Sequence, residues 1–212
     1  MTKILFYVIE LIGVISFAVS GAMMAIKHRS DIFGVVFLGC TTALGGGATR
    51  DIMLGNLPPS VFTNWVFVIV AGVSSMSVFV TARVFRDYYL KNSSRIETVN
   101  NVIDALGLGA FTVTGINSAF LHVGGNNILL GVFMGTLTGI GGGVLRDLLS
   151  GTAPVVFKKH VYALASIAGG IVYCLMINFG IDKTLSAICC MLIVFLVRVL
   201  ATIFKWNLPR AF

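Results

Sequence analysis

Charged side chains are scarce in this sequence. Only 11% of the 212 residues are Asp, Glu, Lys or Arg, whereas 57% are hydrophobic and the mean hydropathy is +0.98. A soluble domain of this length could not bury so much apolar surface in one core, which excludes an ordinary soluble protein. The sequence also lacks a long polar stretch that would form an appended soluble domain. The composition therefore predicts a polytopic membrane protein.

The residue patterns of enzymes and of metal or nucleic-acid binding are also missing. The cysteines lie in apolar runs without metal-ligand spacing, and we interpret them as small buried residues: Cys40, Cys174, Cys189 and Cys190. No Ser-His-Asp set, P-loop or dinucleotide fingerprint is present, and the basic residues are not interleaved with aromatic ones. We expect no enzyme activity, no cofactor, no fixed metal and no nucleic-acid partner.

Long apolar runs dominate the chain. A helix needs about 20 apolar residues to cross a bilayer. Seven such windows predict an all-α fold, near residues 4–26, 32–56, 61–84, 99–121, 127–150, 157–178 and 183–204. Residues 1–25 resemble a signal peptide, but Glu10 interrupts the apolar region and the run is long enough to span. We therefore expect this segment to be retained as the first helix.

The basic residues predict the orientation in the cell (inner) membrane. Ten fall at segment ends on one side: Lys27, Arg29, Arg83, Arg86, Lys91, Arg95, Lys158, Lys159, Lys205 and Arg210. Only Lys3 and Lys183 fall on the other side. The positive-inside rule then predicts an external N-terminus and a cytoplasmic C-terminus. Arg198 lies in the last apolar run, and we expect it to snorkel to the cytoplasmic interface.

An internal repeat organises the chain. Residues 44–55 read LGGGATRDIMLG and residues 140–151 read IGGGVLRDLLSG. The match predicts two three-helix repeats, residues 1–90 and 91–180, followed by a seventh helix and tail at 181–212. Because three is odd, the second repeat must cross the membrane in the opposite sense, and inverted repeats are typical of transport proteins. We expect the seventh helix to serve in packing or subunit contact.

Each copy of the motif carries three consecutive glycines: Gly45, Gly46 and Gly47 in the first, and Gly141, Gly142 and Gly143 in the second. Each glycine weakens a helix by roughly 1 kcal/mol relative to alanine. Broken helices at equivalent places of inverted repeats indicate a permeation site. The alternative is close helix packing, since small residues recur every four positions around both motifs. Both interpretations remain open on the sequence alone.

The motif also places an Arg-Asp pair near the membrane in each copy. Such charges usually face the protein interior and find partners. Neighbouring residues do not share one face of a regular helix, so we expect Asp51 to cap a helix segment that resumes after the glycines. Arg50 would then face a cavity or a carboxylate elsewhere. The symmetry suggests cross-pairs, Arg50 with Asp147 and Arg146 with Asp51. A purely structural ion pair is the alternative.

Further polar residues occupy equivalent places in the first and fourth helices. Glu10 matches Asp104, and Ser20 matches Thr114. The two carboxylates are candidate partners for the arginines or candidate pore-mouth groups, with a solvated interfacial position as the alternative. The two hydroxyls are candidates for lining a polar path, although bonding to their own helix is the commoner role.

The seven helices, the duplicated unit and the doubled GGGATRD and GGGVLRD motif together resemble the prokaryotic branch of the trimeric intracellular cation (TRIC) channel family, over about residues 5–204. The resemblance implies a homotrimer in membrane lipid with a pore inside each protomer. It implies passive conduction of potassium, and also of sodium. It further implies that the second and fifth helices kink at the glycines and border the pore, with the motif's Arg and Asp residues beside it.

The resemblance leaves two points to weigh. Animal members carry basic residues on the fourth helix that are tied to lipid regulation, whereas the window at 99–121 has no Lys or Arg. The same family has also been labelled a glycine transporter, so a secondary transporter of a small solute such as glycine is the alternative function. A scaffold whose glycines only pack is a third hypothesis. Composition does not separate these three, and the resemblance favours the channel.

Overall fold

The computed structural model describes residues 2–158, 161–204 and 206. Within them it contains ten helices: α1 Thr2–Lys27, α2 Ile32–Met53, α3 Ser60–Thr63, α4 Trp65–Val84, α5 Arg86–Lys91, α6 Ser93–Val123, α7 Ile128–Leu149, α8 Val155–Lys158, α9 Val161–Asn178 and α10 Lys183–Ile203. Seven of them, α1, α2, α4, α6, α7, α9 and α10, are long and apolar enough to cross a membrane. The predicted all-α fold with seven spans is confirmed.

Helix starts are specified by side-chain caps at equivalent places in the two repeats. Asp31 accepts a hydrogen bond from the Gly34 amide at 2.8 Å at the start of α2. Asn127 accepts one from the Leu130 amide at 3.1 Å at the start of α7. A side-chain oxygen at this position satisfies one of the amides that a helix leaves unbonded in its first turn.

Helix ends repeat as well. The chain turns after α2 at Gly55, with φ +73°, and after α7 at Gly151, with φ +68°. This left-handed backbone region favours glycine, because a side chain there meets the following carbonyl. The two motifs therefore share their local backbone geometry as well as their amino-acid sequence pattern.

The packing of the first helix of each repeat against the second is also duplicated. A Cβ added to Gly21 in α1 would lie 2.5 Å from the Thr42 hydroxyl of α2. A Cβ added to Gly115 in α6 would lie 2.6 Å from the Thr138 hydroxyl of α7. Matching close approaches at matching positions show that the α1–α2 pair corresponds to the α6–α7 pair.

The two repeats meet through α1, α2, α6 and α7. Phe17 of α1 and Phe111 of α6 pack edge to face at this contact, with ring centroids 5.1 Å apart. A second core lies between α6, α9 and α10 and includes Leu108, Tyr162 and Val194, all buried. The seventh spanning helix thus packs on the second repeat, and packing was one of the two roles expected for it.

Several boundaries differ from the sequence-based expectation. Helix α6 begins at Ser93 rather than near residue 99, so it does carry a basic residue, Arg95. Its 31 residues extend about 46 Å, well beyond a hydrocarbon core of about 30 Å. The window expected at 157–178 is divided between α8 and α9.

Parts of the sequence-based prediction fall outside the described residues. Three of the basic residues used for the orientation do so: Lys159, Lys205 and Arg210. Most of the tail after residue 204 lies outside them too.

Candidate functional site

The helices do not break at the glycines. Helix α2 runs without interruption through Gly45–Gly47, and α7 through Gly141–Gly143. The expected interruption is wrong, and so is the cap that Asp51 was to provide for a resumed helix. Consecutive glycines lower helix propensity by only about 1 kcal/mol each, and the packing of a buried helix offsets that cost.

The middle glycine of each motif marks the point where α2 and α7 cross. A Cβ on Gly46 would overlap the Thr138 carbonyl oxygen, and a Cβ on Gly142 would overlap the Thr42 carbonyl oxygen. Neither backbone could move aside without disturbing its helix. Close packing, the alternative reading of the glycines, therefore holds at this crossing.

The first charge cluster comprises Glu10, Arg50, Asp51 and Ser60. Arg50 Nε donates to Asp51 Oδ1 at 2.8 Å, and Arg50 Nη1 lies 3.7 Å from Glu10 Oε1. The amide and hydroxyl of Ser60 both donate to Asp51 Oδ2, at 2.8 and 2.6 Å. Arg50 and Asp51 do meet, because the long arginine side chain reaches around the helix to its neighbour.

The second charge cluster comprises Ser20, Asp104, Arg146 and Asp147. Arg146 Nη1 donates to Asp104 Oδ1 and to the Ser20 hydroxyl, both at 2.6 Å. Arg146 Nε donates to Asp147 Oδ1 at 2.9 Å. The amide of Val155 donates to Asp147 Oδ2 at 2.7 Å, in the place that Ser60 takes in the first cluster.

The pairing differs from the cross-pairs expected from symmetry. Arg50 does not pair with Asp147, and Arg146 does not pair with Asp51 among the contacts of the described residues. Each arginine instead binds the aspartate that follows it and the carboxylate on the first helix of its own repeat. Glu10 is therefore the second partner in the first cluster. The cross-pairs do not form because each arginine lies four residues, or about 6 Å, beyond the glycine at which α2 and α7 cross. Since the two helices run in opposite directions, this places the two arginines on opposite sides of the crossing.

The two equivalent hydroxyls behave differently. Ser20 belongs to the first repeat but joins the second cluster, where it also donates to Asp104 Oδ1 at 3.2 Å. Thr114 is buried and donates to the Phe111 carbonyl of its own helix at 3.4 Å. Ser20 therefore connects the two repeats through a buried hydrogen bond, whereas Thr114 has the commoner role of bonding to its own helix.

Each cluster holds more negative than positive charge. One arginine faces two carboxylates in both, so the formal charge of each is minus one. The two clusters are separated along α1, where Glu10 and Ser20 lie ten residues, or about 15 Å, apart. The glycine crossing lies between them.

A cavity of about 410 Å³ reaches the second cluster from the end of α1 that carries Lys27. Lys27 and Glu97 lie at its rim and pair at 3.3 Å, with both side chains more than half exposed. Asp104 and Arg146 line its deep end. The cavity thus gives the second cluster a route towards one membrane face.

Arg198 of α10 also lines this cavity, and sequence reasoning misplaced it. The side chain was expected to snorkel to the interface, but the residue is only 3% exposed. Its guanidinium carbon lies 4.6 Å from the centre of the Tyr162 ring. Snorkelling fails because the face of α10 that bears Arg198 packs against α6 and α9. The sequence does contain an indication of this burial, because Arg198 lies five residues before the end of the last apolar helix.

Comparison with known proteins identifies the family. The model of a family described as glycine transporter matches twice, at residues 7–83 and 101–178, once in each repeat. A solved TRIC cation channel structure is 36% identical over 97% of this chain and 96% of that chain, with a TM-score of 0.83. The chain belongs to the prokaryotic TRIC channel family.

Other TRIC relatives agree. The structure of the TRIC orthologue from Rhodobacter sphaeroides is 28% identical over 95% of this chain and 98% of that chain, with a TM-score of 0.85. The UPF0126 inner membrane protein YadS of Escherichia coli (strain K12) is 35% identical over 96% of this chain and 94% of the relative. The resemblance seen in the sequence is confirmed, and the chain is a multi-pass membrane protein of the TRIC fold.

Proposed function

We propose that this protein is a channel that conducts monovalent cations, potassium and also sodium, passively across the inner membrane. The path passes through each protomer of a homotrimer, past the two charge clusters. The observation that carries the proposal is the charge balance: every motif arginine is matched by two carboxylates. An arginine beside a cation path is unfavourable unless it is neutralised, and here the excess charge at both clusters is negative.

The glycine crossing supplies the barrier in this proposal. Gly46 and Gly142 bring α2 and α7 into backbone contact between the clusters. Phe17 and Phe111 pack beside the crossing. A conducting state would require α2 and α7 to separate or rotate, and glycine offers no side chain to obstruct that movement.

The remaining parts of the proposal concern assembly and orientation. Trimeric assembly is supported by the related channel from Rhodobacter sphaeroides, which is described as trimeric. An external N-terminus would make the cavity beside Lys27 a cytoplasmic vestibule. We retain residues 1–90, 91–180 and 181–212 as the proposed units, and membrane lipid as the surrounding partner.

The experiment that tests the proposal is potassium flux into proteoliposomes that contain the purified protein, with radiolabelled glycine uptake measured in parallel. Electrogenic potassium flux that runs down its gradient and is independent of glycine is the expected result. Saturable glycine uptake driven by an ion gradient would replace the channel with the transporter. The family description alone does not favour glycine transport, because the similar solved structures are described as cation channels.

The role of the charge balance is tested by E10Q. This change removes one negative charge from the first cluster while Arg50 keeps Asp51 as a partner. Potassium flux should fall by roughly two- to fivefold, since one charge a few ångströms from a path changes the local cation concentration by that order. D87N, at an exposed aspartate outside both clusters, is the matched control and should leave flux unchanged. Equal flux in E10Q and the wild type would contradict the assigned role.

A further inference from the structure

Arg198 is a third buried arginine, and its surroundings differ from those of the other two. Arg50 and Arg146 each have two carboxylates within 4.0 Å. All eight acidic residues of the sequence lie in the described ranges, and none of them is within that distance of Arg198. Its Nε atom is buried without a hydrogen-bond partner in the described part of the chain.

The guanidinium is held in place by an aromatic ring rather than by a carboxylate. Its carbon atom lies 4.6 Å from the centre of the Tyr162 ring, a cation–π contact. Such a contact orients the group but supplies no ion-pair partner. Since arginine stays protonated under all physiological conditions, Arg198 carries a permanent positive charge.

That charge faces the cavity. Arg198 lines it together with Asp104 and Arg146 at the deep end. Asp104 is bonded to Arg146 and Ser20 rather than to Arg198, and with Arg198 included the formal charge at this end of the cavity rises from minus one to zero. The cavity side of the second cluster therefore carries one positive charge more than the first cluster.

This imbalance has a structural origin in the helix that is not duplicated. The two repeats carry clusters of equal formal charge, so the clusters on their own would contribute similar local fields on either side of the glycine crossing. Helix α10 follows the second repeat and has no counterpart in the first. The charge on Arg198 therefore makes the two halves of the molecule electrostatically unequal.

We propose that Arg198 determines a directional preference in cation flux, with entry from the cavity side made harder than entry from the opposite side. The inference rests on the proposed channel function. A fixed positive charge in the cavity wall lowers the local cation concentration there, by about two- to threefold at low ionic strength for a charge within about 7 Å of the path. Current carried by cations that enter through the cavity is then the smaller of the two directions.

The test is the current–voltage relation of single channels in planar bilayers with equal potassium chloride on both sides. The ratio of the larger to the smaller current at equal and opposite voltages does not depend on how a channel inserted, provided each channel is measured at both signs. At about 0.01 M salt, where screening extends over about 30 Å, the wild type should show a ratio of about two to three. At about 1 M salt, where screening acts within about 3 Å, the ratio should approach one.

Three variants separate charge from structure. R198Q removes the charge and should bring the low-salt ratio closer to one by raising the smaller current. R198K keeps a positive charge and should retain most of the wild-type asymmetry. R95Q removes an exposed charge on α6 that does not line this cavity, and it should leave the ratio unchanged.

The possible outcomes distinguish this inference from the function on which it rests. A wild type that carries no potassium current contradicts the proposed function, and the inference with it. Potassium current that is symmetric at low salt overturns the inference alone. It is also overturned if R198Q keeps the wild-type ratio, or if R198K and R198Q change it equally. Should R198Q fail to fold, a wild-type ratio that does not respond to salt overturns it as well.

Discussion

The two motif arginines share the pattern of three glycines, two variable residues, Arg and Asp, but they differ in the number and closeness of their hydrogen-bond and ion-pair partners. Arg146 donates to Asp104, Asp147 and Ser20, and the residue is 3% exposed. Arg50 has one close carboxylate partner, while the second, Glu10, lies 3.7 Å away with its side chain 24% exposed. Loss of the arginine leaves a buried motif aspartate in either cluster. In the second cluster it also leaves Asp104 buried without a cation, whereas Glu10 in the first cluster can remain hydrated.

R146Q should consequently destabilise the protein more than R50Q. Removal of one partner of a buried ion pair costs about 3–5 kcal/mol. The full cost is expected for R146Q and a smaller one for R50Q. Thermal unfolding of both variants in one detergent measures the difference. Equal decreases in melting temperature would show that the unequal burial of the two clusters does not affect the stability of the protein.

The three glycines of a motif should differ from one another when replaced by alanine. G46A and G142A each force a methyl group against a backbone carbonyl of the crossing helix, and overpacking of this kind costs about 1–3 kcal/mol or more. The control is G47A, whose methyl group would find only the Arg50 guanidinium, at 3.9 Å. Thermal stability should fall in the first two variants and stay near the wild type in G47A. Equal changes of thermal stability in all three variants would contradict the backbone contact of α2 and α7 at Gly46 and Gly142.

The short helices α3 and α8 are attached to the spanning helices through the motif aspartates. Asp51 Oδ2 accepts the amide of Ser60 at the start of α3. Asp147 Oδ2 accepts the amide of Val155 at the start of α8. The aspartates therefore have two tasks, since one oxygen binds the arginine and the other fixes the chain that leaves the membrane segment. This arrangement explains why the Arg-Asp pair stands close to the end of its helix.

D147N should loosen this attachment. An asparagine side chain can accept hydrogen bonds at only one of its two terminal atoms, so it cannot serve both Arg146 and Val155. Hydrogen exchange of amides in residues 150–157 should become faster, while that of residues 128–140 changes less. The control is D182N, which alters the cap of α10 and should affect only the amides after it. Unchanged exchange at Val155 would refute the attachment.

The distribution of basic residues predicts the orientation of the whole molecule in the membrane. Ser93 lies at the start of α6, beside the cavity, and Leu57 lies in the exposed connection after α2. These two positions belong to opposite ends of the spanning helices. With the native cysteines replaced, a cysteine at Leu57 should react with a membrane-impermeant thiol reagent in intact cells. A cysteine at Ser93 should react only after the membrane is opened. The reverse labelling pattern would invert the assigned topology.

The sequence by itself determined the fold class, the seven spans and the duplication, because these depend on local hydropathy and on motif matches. It also identified Arg50, Arg146 and their neighbouring aspartates as the residues to examine. The structure decided which side chains meet, because that depends on how each helix is rotated and how far an arginine reaches. It replaced the expected breaks with a backbone crossing at Gly46 and Gly142, and the cross-pairs with pairs inside each repeat. It also moved Arg198 from the interface to the cavity wall, since only the packing of α10 against α6 and α9 determines which way that face points.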